Sequence, residues 1–167
     1  MAIAVNDANI FIDLLEINLI DTFFEMNLDL HTTNLVLNEL DQEQQQTIKK
    51  HITKKRLTVK ILNNAELDEL KAIEMASTKL SKQDVSVYAY AKELNAIILT
   101  SDRRLRIEAQ SRGFKVHGIL WVFETMMTEK LMKPQKAIEK LMDLMKINTW
   151  LPMDECHKRI EKWSKMT

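Results

Sequence analysis

Five short apolar runs, at residues 2–5, 28–31, 57–62, 96–100 and 114–117, recur along the chain with segments of helical spacing between them. The runs are rich in Ile, Val and Leu and too short for helices, which suits strands buried on both faces. The intervening segments, 9–26, 34–52, 65–77, 83–94 and 103–112, carry apolar residues at helical spacing. Strands alternating with helices imply a parallel sheet covered on both sides. The expected architecture is a three-layer α/β/α sandwich with a central parallel sheet of about five strands, followed by C-terminal helices. A helix is expected over 120–132, and Lys133-Pro134 marks a break, because proline suits the first turn of a new helix. Ile138, Leu141, Met142 and Met145 then form an apolar stripe at spacings of three and four. One domain over 1–147 is expected, with 148–167 reading as a linker and a short terminal helix.

Composition narrows the functions available. The 167 residues hold 24 Lys+Arg against 24 Asp+Glu, so no global field steers the protein onto a polyanion and any such site must be local. Only Gly113 and Gly118 are present, which excludes the glycine loops that cradle nucleotide phosphates. The single cysteine, Cys156, cannot form an internal disulfide, and Cys156-His157 has no partner pair for a structural zinc site. The opening M-A-I-A-V-N-D lacks the basic start of a signal peptide, and no apolar run approaches the ~20 residues of a membrane span. A cytoplasmic protein with no membrane partner is the expectation.

Parallel sheets bind ligands at the carboxyl ends of their strands, near the point where strand order reverses. Asp7 directly follows the first run and Asp102 follows the fourth. Asp84 opens the helix that leads into that fourth run, and Glu39 sits on the helix after the second. Each has an ordinary explanation. Asp7 and Asp102 suit helix N-caps, Ser81-Lys-Gln-Asp84 matches a capping box, and Glu39 suits a solvated helix face. Together, four carboxylates in one crevice would repel one another unless a cation lay among them. Oxygen ligands without His or Cys select hard ions, Mg²⁺ or Mn²⁺.

On these residues the sequence resembles the PIN-domain family of metal-dependent ribonucleases, which includes the toxin halves of many bacterial toxin–antitoxin pairs. The resemblance rests on V-N-D-A-N at 5–9, L-N-E-L at 37–40, L-S-K-Q-D at 80–84, and A-Y-A-K-E-L-N-A-I-I-L-T-S-D-R-R-L-R ending at Arg106. It continues through G-F-K-V-H-G-I-L-W-V-F at 113–123 and covers roughly residues 2–130. By that resemblance Asp7, Glu39, Asp84 and Asp102 match the family's acidic, metal-holding quartet, and Asn9 and Ser101 match supporting polar positions. Many members carry a further acidic residue after the last Asp, whereas Arg103, Arg104 and Arg106 follow it here. Arginine can meet phosphate with a two-pronged donor, although a solvated helix face accounts for these residues equally well. The implied activity is Mg²⁺- or Mn²⁺-dependent hydrolysis of RNA, with an antitoxin protein among the implied partners.

Other features weigh less. Lys49, Lys50, Lys54, Lys55 and Arg56 form the densest basic stretch, read first as surface charge before a strand. His31, His51, His117 and His157 show no paired-ligand spacing. Met126, Met127, Met132, Met142 and Met145 share the C-terminal third with Trp121, Trp150 and Trp163, which suits core packing first and a homodimer interface second. A phosphoacceptor receiver domain is a poor match, since Asn63-Asn64 and Gly118 stand where it needs Asp and Lys. A DNA flap nuclease is disfavoured because long junction-clamping insertions are lacking. The competing expectation is a PIN-like module that binds RNA or protein without cleaving.

Overall fold

The apolar runs form strands β1 Ala2–Asn6, β2 Leu28–Thr33, β3 Thr58–Lys60, β4 Ile97–Leu99 and β5 Val116–His117. They are seen in a computed structural model that describes residues 1–166 and, at 73–74, the backbone alone. All pairings are parallel, in the order β3-β2-β1-β4-β5. Central β1 pairs Val5 with His31 on one side and with Ile98 on the other, and Ala4, Val5 and Ile98 are fully buried. Helices around the sheet complete the α/β/α sandwich. The chain winds outward from β1 through β2 to β3, then returns across β1 to β4 and β5. Strand order therefore reverses between β1 and β4, which opens a crevice at their carboxyl ends.

Two segments expected as single helices are each broken in two, for local reasons. The 9–26 segment forms α1 Ala8–Glu16 and α2 Ile20–Phe23. Asn18 adopts φ 54, a left-handed conformation that asparagine tolerates better than most residues. The Leu19 N–H then bonds back to the Leu14 carbonyl at 2.8 Å, closing a Schellman-type end. The reversal brings Phe23 and Phe24 against Phe11, each with ring centroids 6.3 Å from it. The 34–52 segment forms α3 Asn34–Leu37 and α4 Gln42–Thr53. Asp41 starts α4 with a capping box: its Oδ1 accepts from Gln44 N at 2.9 Å while Gln44 Oε1 accepts from Asp41 N at 3.0 Å.

Helices α5 Asn64–Glu74 and α6 Lys82–Leu94 both begin with capping boxes, Asn63 with Glu66 and Ser81 with Asp84. Helix α7 is Arg103–Ser111, and α8 Ile119–Thr128 follows β5. Pro134 opens α9 Pro134–Ile147 at its first turn, as proline there should. In the apolar stripe Leu141 is fully buried, whereas Met142 is 48% exposed. Beyond 147, α10 Met153–Ser164 buries Cys156 and Trp163 in the same core as the strands, and Trp163 stacks on Phe123 at 5.9 Å. Asn148 fastens the α9–α10 connection to α1, its Nδ2 donating to Asp13 Oδ1 at 3.0 Å and Oδ2 at 3.3 Å. Residue 167, the end of the expected terminal segment, lies outside the described residues. Among the described residues no helix is long and apolar enough to cross a membrane.

Candidate active site

Asp7, Glu39, Asp84 and Asp102 line one concave site of about 360 Å³, together with Asn9, Ser81 and Ile12. Four separate stretches of chain bring them there. Asp7 follows β1 and caps α1, Asp102 follows β4 and caps α7, and Asp84 sits in the first turn of α6. Glu39 was expected on a helix; it lies instead in the turn between α3 and α4, because the Asp41 capping box starts a new helix two residues later. A turn residue can reach sideways over the sheet edge, where a helical residue would be held to the helix surface.

The capping reading and the shared-crevice reading both hold for the aspartates. Leu105 N donates to Asp102 Oδ1 at 2.8 Å, and Ser81 N donates to Asp84 Oδ2 at 2.9 Å. Each of these caps uses one oxygen of the carboxylate, leaving the other outside the cap. Asp7 is held at both: Oδ1 accepts from Ala8 N at 2.8 Å, and Oδ2 accepts from Asn9 Nδ2 and Thr100 Oγ1, each at 2.7 Å.

Thr100 was not singled out in the sequence, yet it joins the two halves of the site. Its buried hydroxyl donates to Asp7 and also accepts from Asp102 N at 3.0 Å. The available signal was its place, directly after the fourth apolar run and two residues before Asp102. Asn9 completes the bracket by accepting from Ser101 N at 2.9 Å through Oδ1. Ser101 itself is exposed and contributes its backbone. Ser81, another lining residue, was read only as a cap.

Electrostatically the crevice is short of positive charge. Burial first, with the charges of Asp84 and Asp102 adding to it, pushes the Asp7 carboxyl up to about 6 despite the Thr100 hydrogen bond. Glu39 is pushed up to about 7 by partial burial first and then by the charges of Asp7 and Asp84, although the residue as a whole is exposed. Asp84 is also raised, by burial above all and by Asp102, with the Ser81 bonds and the Arg104 charge opposing. Asp7, Glu39 and Asp84 thus each feel neighbouring carboxylates of the crevice, a pattern that a bound cation relieves.

The donor set, all carboxylate oxygen, fits a hard divalent ion. Among the described residues no three acidic, His or Cys side chains are drawn closely enough to enclose an ion by themselves. Such a site suits a divalent ion that keeps much of its water and takes one or two carboxylates.

The three arginines separate. Arg103 and Arg104 are exposed on the first turn of α7 beside Asp102. Arg106, grouped with them as a phosphate ligand, is half-buried instead; its Nη2 donates to the Thr100 carbonyl at 3.1 Å. Gly118 leaves room for that guanidinium, since a Cβ there would sit 2.6 Å from Nη2. The basic stretch Lys49 to Arg56 falls at the far end of α4, which runs back from the turn that carries Glu39. It therefore stands away from the crevice.

An all-parallel sheet with helices on both faces and acids gathered at its switch point defines an α/β/α protein with a candidate site at the strand ends. The PIN-domain family model, DUF3368, matches residues 3–165, and the chain belongs to that family. No curated protein matches the chain. Solved structures similar to it include a PilT N-terminus domain protein, SSO1118, from Sulfolobus solfataricus P2, and PAE2754 from Pyrobaculum aerophilum. The first is 14% identical with a TM-score of 0.44, over 74% of this chain and 92% of that one. The second is 18% identical with a TM-score of 0.48, over 75% and 98%.

Proposed function

We propose that the crevice binds Mg²⁺ or Mn²⁺ and hydrolyses phosphodiester bonds of RNA. The observation that carries this reading is the gathering of Asp7, Glu39, Asp84 and Asp102 in one site where burial and mutual charge raise three of them. Membership of the PIN family supports it. Asp7, Glu39, Asp84 and Asp102 are the carboxylates that would hold the ion. A bound divalent ion supplies charge stabilisation at the phosphate and activation of water. The chain's own contribution is positioning. Asn9 and Thr100 both donate to Asp7 Oδ2, Ser81 N and Leu105 N fix Asp84 and Asp102, and Ile12 adds an apolar wall. Arg103 and Arg104 stand where the incoming phosphate backbone can be met by paired donors.

The setting we propose is the cytoplasm, with the chain acting as the toxin of a toxin–antitoxin pair and a partner protein neutralising it. Induced expression arresting growth, with no arrest by an Asp102→Asn form, tests that setting. One observation favours a second reading, a module that binds RNA or protein without cleaving: among the described residues no three carboxylates stand ready around a single point. Incubation of purified protein with RNA in Mn²⁺, and again with chelator, separates the two. Chelator-sensitive cleavage supports the nuclease, and binding without cleavage supports the module.

A further inference from the structure

The His117 and Trp121 rings lie parallel, 4.3 Å between centroids and 10° between planes. Both are half-buried, so each keeps some of its surface in solvent. Their place is informative. His117 ends β5, and Trp121 is in the first turn of α8, so the pair stands at the carboxyl edge of the sheet, the edge that carries the acidic crevice. The His117 carbonyl accepts from Thr100 N at 2.9 Å, and Thr100 is the residue whose hydroxyl holds Asp7. Neighbouring strands are about 5 Å apart, so β5 lies one spacing from β4, which Asp102 follows, and two from β1, which Asp7 follows.

Trp121 packs partly against the hydrophobic core, and the charges around the pair suit a nucleic acid. Lys115 is exposed two residues before His117, and Arg103 and Arg104 are exposed on α7, the helix between β4 and β5. The half-buried Arg106 guanidinium is fixed next to Gly118, immediately after His117. Burial first, then the Arg106 and Lys115 charges, lower the His117 pKa, which favours a neutral flat ring at neutral pH. We infer that the His117–Trp121 stack is a base-binding subsite, on which one unpaired base of a single-stranded RNA stacks while its backbone passes Arg103 and Arg104 toward the acidic crevice. This inference rests on the nuclease reading for its substrate. Every base presents a flat face, so the subsite confers affinity and register more than base identity.

Steady-state cleavage of a short single-stranded RNA in Mn²⁺ tests it, comparing wild type with Trp121→Leu and Trp121→Phe. Trp121→Leu should raise KM about tenfold while kcat falls far less, and Trp121→Phe, which restores a flat ring, should recover most of the loss. A direct reading of the ring comes from emission in a Trp150→Phe form. That change removes the 95% exposed tryptophan and leaves Trp163 buried, so RNA should quench Trp121 as sites fill. An unchanged KM in Trp121→Leu, with no quenching while RNA is cleaved, overturns the subsite and leaves the nuclease reading standing. Quenching and binding without cleavage keep the subsite and remove the nuclease. RNA neither bound nor cleaved removes both.

Discussion

Thr100 Oγ1 lies 2.7 Å from Asp7 Oδ2 and donates its proton to it, joining the ends of two strands that are 93 residues apart in the chain. The same oxygen accepts from Asp102 N, so one hydroxyl sets the spacing between two of the carboxylates. Thr100→Val keeps the shape and removes the hydroxyl. The carboxyl of Asp7 should then rise further above its present value near 6, because the Thr100 bond opposes the rise. Metal-dependent cleavage should fall at least tenfold, and stability should fall by about 1–3 kcal/mol for the unpaired buried groups. Thr100→Ser should retain most of both, as measured by melts and RNA cleavage side by side.

The frame of the molecule was legible because buried parallel strands write themselves as short apolar runs. Asp7 and Asp102 were legible because their distance from a strand end is a matter of counting. What was not legible turned on single residues. Asn18 ends α1 through a left-handed backbone that an apolar helical pattern does not reveal. Asp41 restarts a helix and so moves Glu39 into a turn, although its Gln44 partner three residues later was a readable signal. Thr100 was passed over because a threonine at a strand end is ordinary until its partner is known. Arg106 was grouped with its neighbours by charge, and only Gly118 and the Thr100 carbonyl show its different job.

Arg104 and Arg106 should therefore behave differently on substitution. Arg104→Ala, at an exposed position, should leave stability within about 0.5 kcal/mol and weaken RNA binding with a shallower salt dependence. Arg106→Gln should lower stability by about 1 kcal/mol through the lost bond to the Thr100 carbonyl, with the salt slope unchanged. Salt titrations of RNA binding beside urea melts distinguish them.

Stability should fall as pH rises from about 4 to 7. Asp7 and Asp13 are raised from 3.8 to about 6, and Glu39 from 4.5 to about 7, so the folded chain holds protons that the unfolded chain releases. Their cost is absent below the unfolded values, grows through this window and is complete above it. For the 5% exposed Asp13 it amounts to at most about 3 kcal/mol. Asp13→Asn keeps an acceptor for Asn148 and should flatten part of the slope, read as urea midpoints at pH 4.5 and pH 8. A midpoint that rises over this interval in the wild type contradicts the assignment.

Trp163→Ala should cost about 3–5 kcal/mol, since the side chain is 1% exposed and stacked on Phe123. A thermal melt measures it. A loss under about 1 kcal/mol would mean that α10 contributes little to the core.

Metal-dependent stabilisation in Asp→Asn forms of Asp84 and Asp102 tests the central claim most directly. Asparagine remains an acceptable cap and removes one charge from a crowded crevice, so without metal each variant should melt at or above the wild-type temperature. Mn²⁺ should raise the wild-type melting temperature through binding to the folded state, and should raise that of the variants much less. RNA cleavage in Mn²⁺ should be lost in both. Equal stabilisation by Mn²⁺ in wild type and both variants, with cleavage intact, would show that these aspartates only cap helices and that the crevice is not a metal-dependent active site.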